Sequence, residues 1–338
     1  MSSATAYGDA SESGVEAPSV AVSQLLGPES VTWNYFGDWR GMLMGLWQGS
    51  MQNLHPKLGA AVWEYSDFFG ERWQRVFRSL YPIMGVVFDQ TPATGAEVRD
   101  YHRTIKGTLP DGSRYHALDP DVFYWAHATF WYGNIRCAEV FGPEISESDK
   151  RILFEESRTW YAAYGVSMRP CPDTYDEFLQ YWDTMCTQVL RDHPAVRTVL
   201  DIAELPPPPM LAWIPARAWK AMATPAQQFM VWMTTGLYDP SVRELLGLPW
   251  TARDEQRLRQ FGRLVNRAFS LIPRRYRLHP RARDAWDRTT GRLPASTPPI
   301  ETPIRNLPPE AARTSPMHYC PVHAQRRATH PFTTTSDQ

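Results

Sequence analysis

Residues 119–140, DPDVFYWAHATFWYGNIRCAEV, constrain the fold of this chain more than any other segment. Asp119 can accept from the orphan N–H groups of a first helical turn, and Pro120 at the first position gives up a donor that would have no partner there. The helix so opened is apolar nearly all round until the Gly142-Pro143 stop. A helix without a polar face belongs in the middle of a bundle, packed by other helices on most sides.

The rest of the chain agrees with a helical reading. Start and stop signals recur from about residue 30 to 290, while alternating strand patterns and Asn-Gly hairpins are nearly absent. Thr94-Gly-Ala-Glu97 has the spacing of a capping box, which predicts a helix closed by Gly107. Ser146 opens a helix ending near Gly165, and Thr174-Tyr-Asp-Glu177 boxes the start of another that reaches about Leu190. Later helices are expected near 216–223, 225–236, 252–270 and 280–290. The fold class is all-α, with one large helical domain over residues 26–290. Residues 1–25 lack both a basic n-region and an apolar core, so they read as a disordered lead rather than a secretory signal. Pro206 to Pro209 predict a stiff connector. Residues 291–338, rich in Pro, Ser and Thr, predict an extended tail, disordered or laid over the body.

Composition narrows the function classes. Net charge is −1, against the basic excess that nucleic-acid binding requires. Cys137, Cys171, Cys186 and Cys320 lack Cys-x-x-Cys spacing, which argues against a zinc ribbon or disulfide scaffold and fits a reducing cytoplasm. No window approaches the ~20 apolar residues of a membrane span. There is no GxGxxG, P-loop, HExxH, GxSxG or Glu-x-x-His, so the nucleotide, zincin, hydrolase and ferritin-like di-iron readings lack their signatures. The 14 Trp, 15 Tyr and 14 Phe suit a thick core or a flat apolar guest.

Two stretches carry candidate chemistry. His127 sits two turns into the central helix, with Phe123, Tyr124, Phe130 and Trp131 three or four positions away. A buried neutral imidazole needs a partner for each ring nitrogen. A neighbouring helix could supply both, or a metal could supply one and a carbonyl or carboxylate the other. In TGAEVRDYHRTIKG (94–107), Arg99, His102, Arg103 and Lys106 fall at i, i+3, i+4 and i+7, a basic stripe that is either a solvated face or the edge of a cavity. His55 precedes Pro56 at a helix start, where capping is the bland role. The run HYCPVH, His318 to His323, suggests a metal but lacks a four-ligand spacing.

These two stretches, joined by LPDGSRYHALDP, resemble the MpaB-like and latex-clearing-protein-like haem oxygenases. The matching pieces are GPESVTWNYFGDWRGML (27–43), LHPKLGAAVWEYSDF (54–68), VRDYHRTIKG (98–107) and SRYHALDPDVFYWAHATF (113–130), in that order. The resemblance implies an all-α haem domain related in outline to globins, haem b held without covalent attachment, and His127 as the axial ligand of the iron. It also implies Arg99, His102 and Arg103 as catalytic residues, Arg99 and His102 on the distal side beside bound oxygen, with Arg99 and Arg103 holding the haem as well. His102 stands where latex-clearing proteins supply Lys and agrees with the His of the MpaB-like branch. Arg103 stands where the rubber oxygenases carry Thr, which turns the expectation away from rubber. Arg40 and His55 lie in matching motifs as pocket contacts.

The expected activity is O₂-dependent oxidation of an apolar small molecule, specifically cleavage of a carbon–carbon double bond. A haem hydroxylase, a peroxidase-like oxidant and a cofactor-free helical interaction protein are the alternatives. The partners are then O₂ and the substrate, with no nucleic acid and no transmembrane segment, though a peripheral membrane contact is compatible. Because every matched motif precedes residue 131, removing residues 301–338 is expected to leave the haem site intact.

Overall fold

The computed structural model describes residues 25–65, 72–203, 205–207 and 211–313. The lead up to residue 24, Pro208 and Pro209, and the HYCPVH run lie outside the described residues. The chain is predominantly all-α. In order it forms α1 (Val31–Tyr35), a 3₁₀ turn (Trp39–Met44), α2 (Gly45–Asn53), α3 (Pro56–Tyr65), α4 (Arg72–Phe88) and α5 (Ala93–Asp100). A small antiparallel pair follows, β1 (Lys106–Thr108) with β2 (Arg114–His116), and then α6 (Pro120–Phe141). The second half contains α7 (Glu147–Ala162), α8 (Tyr175–Thr184), α9 (Pro194–Leu200), α10 (Ala216–Leu237), α11 (Pro240–Leu246), α12 (Ala252–Ser270), α13 (Arg274–Arg277) and α14 (Pro280–Thr289).

The capping chemistry read from the sequence places most of these starts. Asp119 accepts from Asp121 N, Ser146 from Asp149 N, and Thr174 with Glu177 forms a complete capping box. Past its regular part, α8 widens into a single π-turn, Met185–Val189, closed by Leu190 N donating to Met185 O at 3.0 Å.

Helix α6 lies at the centre, against α2, α7, α12 and the 3₁₀ turn. Trp125 Nε1 donates to Met51 O of α2 at 3.0 Å, pairing a polar atom that the core would otherwise leave unsatisfied. On the α12 side the backbones nearly touch. A Cβ added at Gly262 would land on the carbonyl oxygen of Val140, so only glycine permits that crossing. The last two helices fold back onto the first part of the chain. His279 N donates to Gly37 O at 2.7 Å, and the Arg274 guanidinium lies over the Trp286 ring, 4.0 Å from its centroid.

Three expectations are corrected. Thr94 does not cap: its hydroxyl donates to Asp89 at 2.7 Å, and α5 begins after Pro92 without a side-chain cap. That helix ends at Asp100, so the basic residues do not form one helical stripe. Tyr101 to Thr104 is a turn, and Gly107 pairs with Tyr115 in the hairpin instead of closing a helix. Pro225 does not divide 216–236 but lies inside α10. It frees the carbonyl of Ala221, which is on an exposed turn where water can replace the lost donor. Of the two readings of the tail, residues 291–313 follow the one laid over the body, with Asn306 O accepting from Arg78 Nη1 at 2.9 Å and Thr302 buried. Among the described residues no helix is long and apolar enough to cross a membrane.

Candidate functional site

A cavity of about 800 Å³ opens beside α6, within the range of roughly 300–1,000 Å³ typical of small-molecule and cofactor sites. His127, Phe123 and Phe130 of α6, Arg75 of α4, His102, and His279 at the start of α14 are among its lining residues.

His127 is 2% exposed, its ring enclosed by Trp160 and Tyr161, each with centroid 5.1 Å away. Its Nε2 lies 3.0 Å from Ser157 O. A carbonyl can only accept, so the neutral ring carries its proton on Nε2 and a lone pair on Nδ1. That Nδ1 is sealed from solvent and has no hydrogen-bond partner among the described residues. Loss of solvent lowers the pKa to about 3, only partly offset by the bond to Ser157, so the imidazole is neutral at physiological pH. A neutral imidazole with one nitrogen fixed by a carbonyl and the other unpartnered is the form that ligates a metal.

The basic residues of the second stretch separate. His102 lines the cavity, edge-on to Phe123 with ring centroids 5.4 Å apart, and Nδ1 donates to Val98 O at 2.9 Å. Burial lowers its pKa to about 4, with Arg75 lowering it further against the opposing effect of the Val98 bond. It is therefore uncharged at neutral pH, unlike the cation a basic stripe assumes. Arg99 and Arg103 both place Nε on Asp100 Oδ1, at 2.9 and 2.8 Å, and neither is among the cavity-lining residues. The Arg103 side chain is 62% exposed. The turn between them is held by His116, whose Nε2 donates to Arg103 O at 3.1 Å.

Arg40 lines the cavity, gripping Asp38 through Nε and Nη2 at 2.9 Å each and donating from Nη1 to Phe141 O at 3.3 Å. His55 is buried but not among the lining residues, and its Nδ1, the atom that would cap α3, has no partner among the described residues. Two cationic lining residues were missed by sequence reasoning: Arg75, 8% exposed, and Lys57, which donates to Asp119 at 2.9 Å. The available signal for Arg75 was its spacing: Arg72, Arg75 and Arg78 recur three apart in a helix that is mostly apolar after Ser79. His279 was missed as well, since it lies far from the motifs and looks like a helix cap.

No group of three metal-ligating side chains occurs among the described residues, so an iron centre here would have to bring most of its own ligands. A porphyrin does so, asking the protein for an axial nitrogen and an apolar slot. His127 and the cavity fit that demand.

Residues 33–267 match the family described as ER-bound oxygenase mpaB/B'/Rubber oxygenase, catalytic domain. An uncharacterized protein of Mycobacterium bovis is 23% identical over 236 residues, covering 67% of this chain and 87% of its own length. An uncharacterized protein of Mycobacterium tuberculosis matches with the same identity and coverage. No solved structure matches the chain.

Proposed function

Because the chain belongs to the mpaB/rubber oxygenase catalytic-domain family, we propose that it is a haem b-dependent oxygenase that cleaves a carbon–carbon double bond of an apolar substrate with O₂. The observation that carries the reading is His127, with Nε2 fixed on Ser157 and a buried Nδ1 lacking any partner among the described residues. In this reading His127 would hold the haem iron. Haem b, when bound, supplies the activation of O₂ that no protein side chain provides.

The chain's own residues do the rest. Ser157 O holds the imidazole in one tautomer and orientation. Arg75, a buried guanidinium at the cavity wall, is suited to pairing with a propionate because its fork stays charged and binds carboxylates in two places. His102, neutral with Nδ1–H committed to Val98, presents Nε2 as an acceptor and can hold a proton at that atom. Arg99 and Arg103 act through Asp100, bracing the turn that carries His102. The distal role implied by the resemblance would require each of them to leave that carboxylate. Phe123 and Phe130 keep water away from the substrate. The overall change balances without a reductant: one C=C and one O₂ give two carbonyl groups. We assign the protein to the cytoplasm, on the free thiols of Cys137, Cys171 and Cys186.

The test is a visible spectrum of the purified protein, followed by turnover of a cleavable alkene under ¹⁸O₂. A Soret band and label in both carbonyl products are expected, with exchange against water controlled. One labelled oxygen retained as an alcohol or epoxide would indicate a hydroxylase. No band after haem addition would leave the cofactor-free interaction protein.

A further inference from the structure

His279 has a fixed proton and nothing to give it to. Its Nδ1 accepts from Arg281 N at 3.2 Å, capping α14. A backbone N–H can only donate, so Nδ1 holds the lone pair and the neutral ring carries its proton on Nε2. That Nε2 meets no acceptor among the described residues, although the residue is 2% exposed and lines the cavity. The ring cannot turn away. Tyr81 stands edge-on with centroids 4.6 Å apart, Trp39 lies 5.3 Å away, and the cap bond holds the third side.

The surrounding charge favours an anion. Arg40 and Arg277 share Asp38, Arg281 faces Asp89, and Arg283 faces Asp284, so four guanidinium groups meet three carboxylates around the segment 277–284. The site also lies beyond the matched residues 33–267, in helices that fold back to close the cavity.

We propose that His279 Nε2–H is the hydrogen-bond donor to a carboxylate of the cavity's occupant, so that the apolar ligand carries an acidic group at this end. The proposal rests on reading the cavity as the site of an apolar ligand. Two sources share the chemistry, a carboxylic acid on the substrate and a propionate of haem, and the experiment separates them.

The full-length chain is titrated with hexadecanoic acid, methyl hexadecanoate, haemin and haemin dimethyl ester, following tryptophan fluorescence and the Soret band. His279→Ser keeps a capping oxygen for Arg281 N and loses the cavity donor. His279→Asn keeps the cap and restores an N–H. Circular dichroism and thermal midpoints near wild type show that both variants fold. A hydrogen bond to a charged group predicts roughly tenfold to hundredfold weaker binding of one acid by His279→Ser. Its ester should be unaffected, and His279→Asn should recover much of the loss. Weakening confined to hexadecanoic acid makes the substrate the source, and weakening confined to haemin makes the cofactor the source. Equal effects on an acid and its ester, or no effect at all, overturn the proposal while leaving the cavity reading intact. If the wild-type chain binds none of the four, the cavity reading fails and takes the proposal with it.

Discussion

Asp89 and Arg281 form a buried ion pair across 192 positions of sequence, with Arg281 Nε donating to Asp89 Oδ1 at 2.9 Å and Nη2 reaching Oδ2. The pair does more than join α14 to α4. Thr94 of α5 donates to the same carboxylate, and Arg281 Nη1 donates to Tyr81 O at 2.9 Å. One carboxylate thus sets the corner from which α5 runs toward His102, and its guanidinium partner begins two residues after His279.

Breaking this pair from one side should be costly. Arg281→Met leaves the Asp89 carboxylate, 1% exposed, without its counter-charge, and the expected loss is about 3–5 kcal/mol in urea unfolding. Asp89→Asn combined with Arg281→Met removes both charges and should recover part of it. A double variant as unstable as the single one would show that the corner depends on shape rather than charge.

His127→Ala should abolish the Soret band of haem-reconstituted protein, and added imidazole should restore part of it. His102→Ala should keep the band, since its ring is tied to Val98 and the reading gives it no iron. Equal haem content in wild type and His127→Ala would remove the ligand assignment.

Acid should destabilise the chain well above the carboxylate range. Burial lowers His55, His102 and His279 to about 4 from the ordinary 6.5, so between these values the unfolded chain binds protons that the folded chain refuses. Stability is then full above about pH 6.5 and falls as pH drops toward 4, by about 1.4 kcal/mol per pH unit for each such histidine. Urea midpoints between pH 7 and 5 measure this, and His55→Gln should reduce the slope by one proton. A flat profile over that window would mean these rings are protonated without cost.

The tail is expected to matter. Deleting residues 301–338 removes Asn306 O from Arg78, a guanidinium 1% exposed, and uncovers the side of α4 that also carries Arg75. Loss of this buried, charge-assisted bond should cost about 1–3 kcal/mol, read as a lower unfolding midpoint. An unchanged midpoint would return the tail to the dispensable status that its composition suggests.

What was legible in the sequence was local. Asp119, Ser146 and Thr174 start helices because the cap and the first turn are neighbours in the chain, and the all-apolar stretch around His127 could only be central. Thr94 shows where local reading stops. Its spacing to Glu97 suits a cap, but Asp89 takes the hydroxyl, and a capping box needs that hydroxyl for the backbone. The basic stripe failed for the same reason: His116, from the hairpin, holds the turn that ends the helix early. Arg75 reaches the cavity from α4 and His279 through the return of α14 onto that helix, a long-range arrangement that no local pattern records.

The wide turn at Met185–Val189 marks where α8 stops. Its closing bond reaches five residues back, from Leu190 N to Met185 O, and the chain leaves it in an extended conformation. Trp182 Nε1 and Cys186 Sγ, four positions apart, reach the same Asp239 oxygen at 3.0 and 3.9 Å, and Leu190 enters the core. Asp239 stands at the head of α11 but makes no side-chain cap there, because its carboxylate is spent on the end of α8. One acidic side chain thus fastens the close of one helix to the opening of another.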